Sequence, residues 1–474
     1  MISYNYYKDT IAAIATAIGQ AGIGIVRISG PDGLLIANKI FVSKDSRKPS
    51  SFKTYTTHYG WIVESAKRKA QSAKLKKPQD FIDEVILTVM RAPRSYTKED
   101  VVEINCHGGI VALRRVLDLV LVNGARLAQP GEFTKRAFLN GRIDLAQAEA
   151  VLDIIKAKTD SALKVALVQL EGGLSKQINK IRKVTLRALC VLEANIDFPE
   201  EEIGSLNLRS VSRDLEEASG ELKRLIQDAG RGRVLREGIR VVICGRPNVG
   251  KSSLLNALLK QERSIVTPIP GTTRDTIEEI IDIKGAPIMI VDTAGIIEPK
   301  DLVEKKAVQR SKKYITQAEL VILLFDGSSN LTQADEILMK KLKNKTAIAV
   351  INKIDLRQKI ERDKIGRRFD RVVDISAKKL KNIALLEDEI ANLVYDGRVT
   401  SAEPALLSNA RHTAAIKEAQ KLVEEARNSL DNKLSIEFIA QGLKDALLCL
   451  DEILGSSFSE NLLEKIFSEF CIGK

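Results

Sequence analysis

Val241-Val-Ile-Cys244-Gly245-Arg-Pro-Asn248-Val249-Gly250-Lys251-Ser252-Ser253-Leu-Leu-Asn-Ala-Leu-Leu259 runs from an apolar, strand-like segment through a glycine loop into a helix-like segment. That order is what a phosphate-binding loop requires. Its glycines let backbone N–H groups close around phosphate oxygens, Lys251 brings a cation to the terminal phosphates, and the Ser252 hydroxyl can ligate Mg²⁺. A nucleoside triphosphate suits Asn248, Val249, Gly250, Lys251, Ser252 and Ser253. A glycine-rich turn explains the loop by itself, but not its two flanks and the partners downstream.

Asp292-Thr293-Ala294-Gly295 follows the apolar segment Ile288-Met-Ile-Val291. An aspartate at a strand end can hold Mg²⁺ through water, and the Gly295 N–H can sense a γ-phosphate. Asn352-Lys353-Ile354-Asp355 follows Thr346-Ala-Ile-Ala-Val-Ile351. The Asp355 carboxylate can accept both the N1–H and the 2-amino hydrogens of guanine, a donor pair that adenine lacks. Ser376-Ala377-Lys378, after Val372-Val-Asp-Ile375, is placed to close over the base. Together these motifs resemble the translation-factor-like branch of small GTPases.

Between the first two motifs lies Thr267-Pro268-Ile269-Pro270-Gly271-Thr272-Thr273, the natural place for a switch loop. By position, Thr273 is its Mg²⁺ ligand; a polar turn is the alternative. Ile296 occupies the place where Ras-like enzymes carry the glutamine that orients the attacking water. An isoleucine cannot do that, so hydrolysis needs another group or a partner. Glu304 is a candidate general base acting through water, or a solvated helix glutamate. Asn248 could help hold a monovalent cation.

The chain has 474 residues, too many for one ordinary core, and two to four domains are expected. Its net charge of +12 favours a polyanionic partner such as nucleic acid, or simply reflects a lysine-rich solvated surface. The five cysteines are scattered without a CxxC pair, which argues against a disulfide framework or a zinc site. No apolar run reaches the ~18 residues of a membrane span, and the start has no secretory pattern, so a soluble cytoplasmic protein is expected.

Residues 1 to about 140 read as mixed α/β, with strands expected at Ile23–Ile28 and Glu84–Val89. The basic stretch 66–77 reads as a surface loop or hairpin extension, or as an RNA contact. From Asp144, apolar residues recur at helical spacing to about Asn195 and again over about 208–228, ending in the linker-like Ala229-Gly-Arg-Gly-Arg233. Beyond Glu403-Pro404, Ile436, Ile439, Leu443, Ala446, Leu447, Leu450 and Leu454 form one helical stripe. The economical reading packs both helical blocks into one domain with the α/β module, about 238–395, inserted.

Motifs throughout the chain resemble those of the MnmE (TrmE) family of tRNA uridine-modifying GTPases. They include Gly22-Ile-Gly-Ile-Val-Arg27-Ile-Ser-Gly30, Glu99-Asp-Val-Val-Glu103-Ile-Asn-Cys-His107, Pro130-Gly-Glu-Phe-Thr-Lys-Arg, Asp144-Leu-Ala-Gln-Ala-Glu-Ala150 and the terminal Phe470-Cys471-Ile-Gly-Lys474. The resemblance implies a multidomain α/β and all-α fold. Its parts would be a folate-binding α+β domain over 1–140 that forms a homodimer, a central helical domain of 141–237 plus 396–474, and an inserted P-loop GTPase α/β domain over 238–395.

It further implies GTP, Mg²⁺, K⁺ and 5,10-methylene- or 5-formyl-tetrahydrofolate as cofactors, and a heterotetramer with an FAD-containing MnmG-like partner. The complex would add an aminomethyl or carboxymethylaminomethyl group to C5 of the wobble uridine of tRNA. By the family pattern Arg27, Glu103, Arg142 and Lys474 bind folate. Asn248 with groups around Thr267, Ile269 and Thr272 holds K⁺, Ser252 and Thr273 hold Mg²⁺, and Glu304 is catalytic. Cys471 reads as a thiol near the folate or a buried structural cysteine. Arg142 stands where many relatives have lysine, and Ile297 where an arginine is common. The competing reading, from another class, is an Era-like regulatory switch in ribosome or RNA assembly.

Overall fold

Contacts divide the chain into two compact units, Met1–Leu152 with Asp451–Lys474, and Asp153–Leu450. This computed structural model describes residues 8–64, 81–197, 205–227, 229–261, 278–292, 316, 318–343, 345–395 and 407–474. The basic stretch 66–77 and Ile297 lie outside them.

The first unit holds β1 (Ile11–Ile14), β2 (Ile23–Ser29), α1 (Gly33–Ile40), β3 (Phe41–Ser43), β4 (Thr56–Val63), β5 (Phe81–Met90), β6 (Val101–His107), α2 (Ile110–Val122), β7 (Arg126–Leu127), α3 (Glu132–Leu139) and most of α4 (Leu145–Lys156). The strands expected at Ile23–Ile28 and Glu84–Val89 are realised as β2 and β5. The sheet order is β3-β4-β5-β6-β2-β1-β7, antiparallel at every pairing except β1 with β7. Period-2 alternation turns Val26, Ile28, Leu87, Val102 and Ile104 into one core. Leu113, Val116 and Val120 of α2 meet them at helical spacing, as do Ile36, Ala37 and Ile40 of α1.

A charged network lies beneath β1. Arg136 of α3 is fully buried and donates to Asp9 Oδ1 (2.9 Å), Glu99 Oε1 (3.2 Å) and Glu132 Oε1 (3.0 Å), while Arg126 grips both Glu132 oxygens. Burial pushes the Glu132 carboxyl up, but Arg126, the Gln129 N–H and Arg136 outweigh it and hold the group below its ordinary value of 4.5. A depressed carboxylate stabilises the fold fully above its unfolded pKa, and that stability is lost as pH falls through the folded value. We therefore expect Glu132→Gln to cost about 1.5–3 kcal/mol at neutral pH, since it removes the charge that Arg126 and Arg136 share, while Asp9 and Glu99 still hold Arg136. The gap to wild type should close below about pH 4.5 in urea titrations. A gap that stays constant down to pH 3 would show that Glu132 is not the titrating group.

The second unit opens with α5 (Asp160–Leu170), α6 (Gly173–Asp197), α7 (Ser205–Gln227) and α8 (Ala229–Glu237). Helix α8 corrects the reading of Ala229–Arg233 as a linker. Its two glycines are poor helix formers, but Ala229, Gly232 and Leu235 bury one face. A Cβ on Gly232 would overlap the Leu407 carbonyl, so this glycine allows a close backbone approach. Tertiary packing overrides propensity here.

An α/β module follows: β8 (Ile239–Cys244), α9 (Lys251–Gln261), β9 (Glu278–Ile283), β10 (Ala286–Asp292), β11 (Leu320–Asp326), α10 (Gln333–Lys341), β12 (Ala347–Asn352), α11 (Arg362–Gly366), β13 (Val372–Asp374) and α12 (Ile383–Val394). Its strands pair in the order β13-β12-β11-β8-β10-β9, all parallel except β9, which runs antiparallel to β10. The chain leaves β8 for β10 on one side and later for β11 on the other. The carboxyl end of β8 is therefore a topological switch point, the place where open α/β sheets bind ligands.

Beyond the module come α13 (Ala410–Asp431) and α14 (Ile436–Leu454), the latter carrying the expected apolar stripe. Helices on the two sides of the module pack together: α7 lies against α13, with Lys223 paired to Glu424, and Gln169 donates to Ser408 Oγ at 3.0 Å. From Asp451 onward the chain, including α15 (Glu460–Ser468), belongs to the first unit. Helical periodicity alone groups those residues with the rest of 396–474; packing separates them. In α15 the buried face of Leu463, Ile466 and Phe467 meets Phe138 and Leu145.

Candidate functional sites

The quoted stretch folds as strand, loop and helix. Cys244 ends β8 in the core, and Asn248 (φ 63°) and Gly250 (φ 100°) turn the loop through left-handed conformations before α9 starts at Lys251. At Gly250 a Cβ would overlap the Asn352 side-chain nitrogen, so both the conformation and the space require glycine. Val249 is buried and pins the loop to the core. Lys251 Nζ spans the loop, donating to the carbonyls of Gly245 (3.1 Å) and Arg246 (2.9 Å). Ser252 and Ser253 are exposed in the first turn of α9, where free N–H groups and the helix dipole favour an anion.

Asn352, at the end of β12, joins this loop to the Ser376-Ala377-Lys378 loop. Its Nδ2 donates to the Val249 carbonyl (2.8 Å) and its Oδ1 accepts from the Ala377 N–H (3.0 Å). Lys353 Nζ donates to the Asn248 carbonyl (2.8 Å) and to Asp326 Oδ2 (2.6 Å) at the end of β11. Burial raises the Asp326 carboxyl, but Lys353 and Ser328 outweigh it and keep it below the usual range. Ser376 Oγ donates to Asp355 Oδ1 (2.6 Å). That bond is the main reason the exposed Asp355 stays below its ordinary pKa, helped by Lys379 and Lys378, so it is available as an acceptor.

The structure thus brings Asn248 to Ser253, Asn352, Lys353, Asp355 and Ser376 to Lys378 to one end of the sheet. Asp292 ends β10 in register with Ile243 of β8, on the same side. Thr267 to Thr273, Thr293, Ala294, Gly295 and Glu304 lie outside the described residues. Sequence reading missed Asp326, the Lys353 partner, although an acid closing the apolar run Leu320–Phe325 was a usable signal. It also missed Arg246, which reaches out of the loop to Asp335 of α10 (2.8 Å).

Asn352→Ala would leave the Val249 carbonyl and the Ala377 N–H without partners. Each buried orphan costs about 1–3 kcal/mol, so roughly 2–6 kcal/mol of module stability should disappear, with GTP affinity falling alongside. Denaturation followed by a probe in the module measures this. A loss below 1 kcal/mol would mean that water or a neighbour replaces both bonds.

In the first unit Arg27 of β2 and Glu103 of β6 are cross-strand partners, and Arg27 Nε donates to Glu103 Oε1 at 2.7 Å. Arg27 Nη1 donates to the Gly473 carbonyl (3.1 Å), and its guanidinium lies over the Phe133 ring at 5.6 Å. The carboxyl-terminal tail is fastened there: Phe133 N–H donates to Lys474 O (3.1 Å), and Gly473 (φ 95°) lies against Ile14 where a side chain would clash. Arg27, Glu103 and Lys474 therefore converge. Arg142 instead covers the Tyr96 ring at 4.8 Å and donates to the Tyr96 carbonyl. Burial pushes the Tyr96 phenol up, while its bond to Thr134 and the charges of Arg142 and Arg27 pull it down, so one phenol feels both guanidiniums. Neither Tyr96 nor Phe133 carried a sequence signal. Cys471 is exposed, which rules out the buried structural reading.

A glycine loop capping a helix at the switch point, tied by Asn352 and Lys353 to the neighbouring strand ends and to the Ser376 loop, is the arrangement of a P-loop GTPase. Family models described as "GTP-binding protein TrmE N-terminus" and "MnmE helical domain" match residues 10–142 and 145–471. The tRNA modification GTPase MnmE of Clostridioides difficile (strain 630) is 45% identical over 471 residues, 99% of this chain and 100% of its own length. The chain belongs to the MnmE family of tRNA modification GTPases. The MnmE proteins of Alkaliphilus oremlandii (44% over 471 residues, 99% and 100%) and Desulforamulus reducens (44% over 469 residues, 98% and 99%) are similar along the same span. It is a GTPase of tRNA modification, and such end-to-end similarity does not favour the Era-like alternative. No helix among the described residues is long and apolar enough to cross a membrane.

Proposed function

We propose that the chain is the GTP-hydrolysing half of a cytoplasmic complex that modifies C5 of the tRNA wobble uridine, working as a homodimer with an FAD-containing MnmG-like partner. Three functional domains are proposed: 1–140 for folate and dimerisation, 141–237 with 396–474 as the helical part, and 238–395 for GTP. The observation that carries the folate part is the meeting of Glu103 and the carboxyl-terminal Gly473-Lys474 tail at Arg27. A carboxylate and a guanidinium, both partly exposed, fit the donors and acceptors of a pterin. Bound there, a one-carbon tetrahydrofolate supplies the carbon unit. This chain's residues hold and orient it, with Arg142 closing the Tyr96 side.

In the module, Lys251 and the loop N–H groups hold phosphates, Ser252 with Thr273 would ligate Mg²⁺, and Asp355 selects guanine. Thr267 to Thr272 would surround the phosphates and a K⁺ held with Asn248. Calorimetric titration with 5-formyl-tetrahydrofolate tests the first site: binding is expected, with at least a tenfold loss in Arg27→Ala. No binding, or binding indifferent to that change, overturns the folate reading. GTPase rates equal in K⁺ and Na⁺ would remove the K⁺ assignment. The reaction itself is tested by mass analysis of wobble uridines from cells lacking the chain, which should lose the C5 group.

A further inference from the structure

The Arg27 guanidinium is already held by Glu103 and the Gly473 carbonyl, so the carboxylates of a folate tail need cations from elsewhere. The far side of Tyr96 has them. A cavity of about 370 Å³ there is lined by Arg94, Lys98 and Arg142 with Met90, Pro93 and Tyr96, and none of its lining residues is acidic. That volume lies within the range of small-molecule sites. Lys98 Nζ donates to the Gly141 carbonyl (2.8 Å), which ties the 91–100 loop to the turn that carries Arg142. Arg94 is exposed, and among the described residues it makes no ion pair or hydrogen bond. Cations gathered around a recess without an anion repel one another, and ligand carboxylates relieve that repulsion. The apolar walls suit an aromatic ring and methylene chain on the way in.

We propose that this cavity receives the γ-glutamyl tail of the folate, so that the chain prefers folates with several glutamates over the monoglutamate. The inference rests on the folate reading above. It locates the charged end of the ligand on the Arg94–Lys98–Arg142 side of Tyr96 and the pterin on the Arg27–Glu103 side. Each added glutamate brings one more carboxylate, and the recess offers three cations to meet them. A nucleic-acid backbone carries similar charge but needs a groove in place of a recess.

The test is calorimetric titration of the full chain with 5-formyl-tetrahydrofolate bearing one or five glutamates, at 0.15 M salt. The pentaglutamate should bind about fivefold to tenfold more tightly. In the double variant R94Q/K98Q the advantage should fall below twofold. An equal charge loss on the exposed face of α2, R114Q/R115Q, should leave the advantage intact, which separates the cavity from the general field of a +12 chain. Equal affinities in the wild type, or an advantage that survives in R94Q/K98Q, would overturn the proposal. So would an R94Q/K98Q variant that loses tRNA binding with an unchanged glutamate preference, since the cations would then serve RNA. Failure of both folates to bind would overturn the folate reading itself.

Discussion

Glu304→Ala is expected to slow GTP turnover by about 10²–10⁴-fold while leaving GTP affinity within about threefold of wild type. The reasoning begins at Ile296, directly after Asp292-Thr-Ala-Gly295. An aliphatic side chain there can neither accept from nor donate to the attacking water, so the water must be oriented and deprotonated by another group. Glu304 follows on the same segment and is a carboxylate, the right kind of group to act through a second water. An interaction made only in the transition state lowers turnover without changing ground-state affinity. Single-turnover hydrolysis and equilibrium binding of a fluorescent GTP analogue separate the two. Weaker binding with intact turnover would return Glu304 to the role of a solvated helix residue. Glu304→Gln should be nearly as slow as the alanine variant, because an amide keeps the shape and loses the base.

Asp355→Asn should lower GTP affinity by about 10²–10³-fold and create affinity for xanthosine triphosphate. In the proposed GTP complex two guanine donors would face the one carboxylate of Asp355. An asparagine offers one acceptor and one donor, so its NH₂ meets the 2-amino group of guanine and one buried donor goes unpaired. Xanthine has a carbonyl at C2 that accepts from that NH₂. The change is local: Asp355 is exposed, and Ser376 Oγ can donate to the asparagine carbonyl as it does to Asp355 Oδ1. The melting temperature should therefore stay within about 2 °C of wild type. Competition binding with both nucleotides measures the switch. Unchanged GTP affinity would mean that Asp355 does not read the base.

The nucleotide end of the module was legible because each motif is short and sits beside the apolar run that becomes its strand. Lys251 follows β8 and Asp355 follows β12, so local order already implies nearness at one sheet end. Asp326 escaped notice because its partner Lys353 stands just past the end of another strand, and only the parallel pairing of β11 with β12 brings them together. Ala229–Arg233 was misread for a related reason. Two glycines lower helix propensity over a few residues, and what overrides them is packing that includes the Leu407 backbone, far along the chain.

The amino acids alone pointed to a phosphate loop, to guanine as its base, and to a catalytic task that Ile296 cannot perform. These follow from side-chain chemistry at fixed spacing, which folding does not change. Tertiary structure alone decided that Arg27 pairs with Glu103 and lies over Phe133, that the last residues from Asp451 join the first unit, and that Arg94, Lys98 and Arg142 share one cavity. Apart from the neighbours Arg94 and Lys98, those are contacts between residues tens to hundreds of positions apart. No local preference encodes them, and they exist only because burying the sheet and helix faces brings distant segments into register.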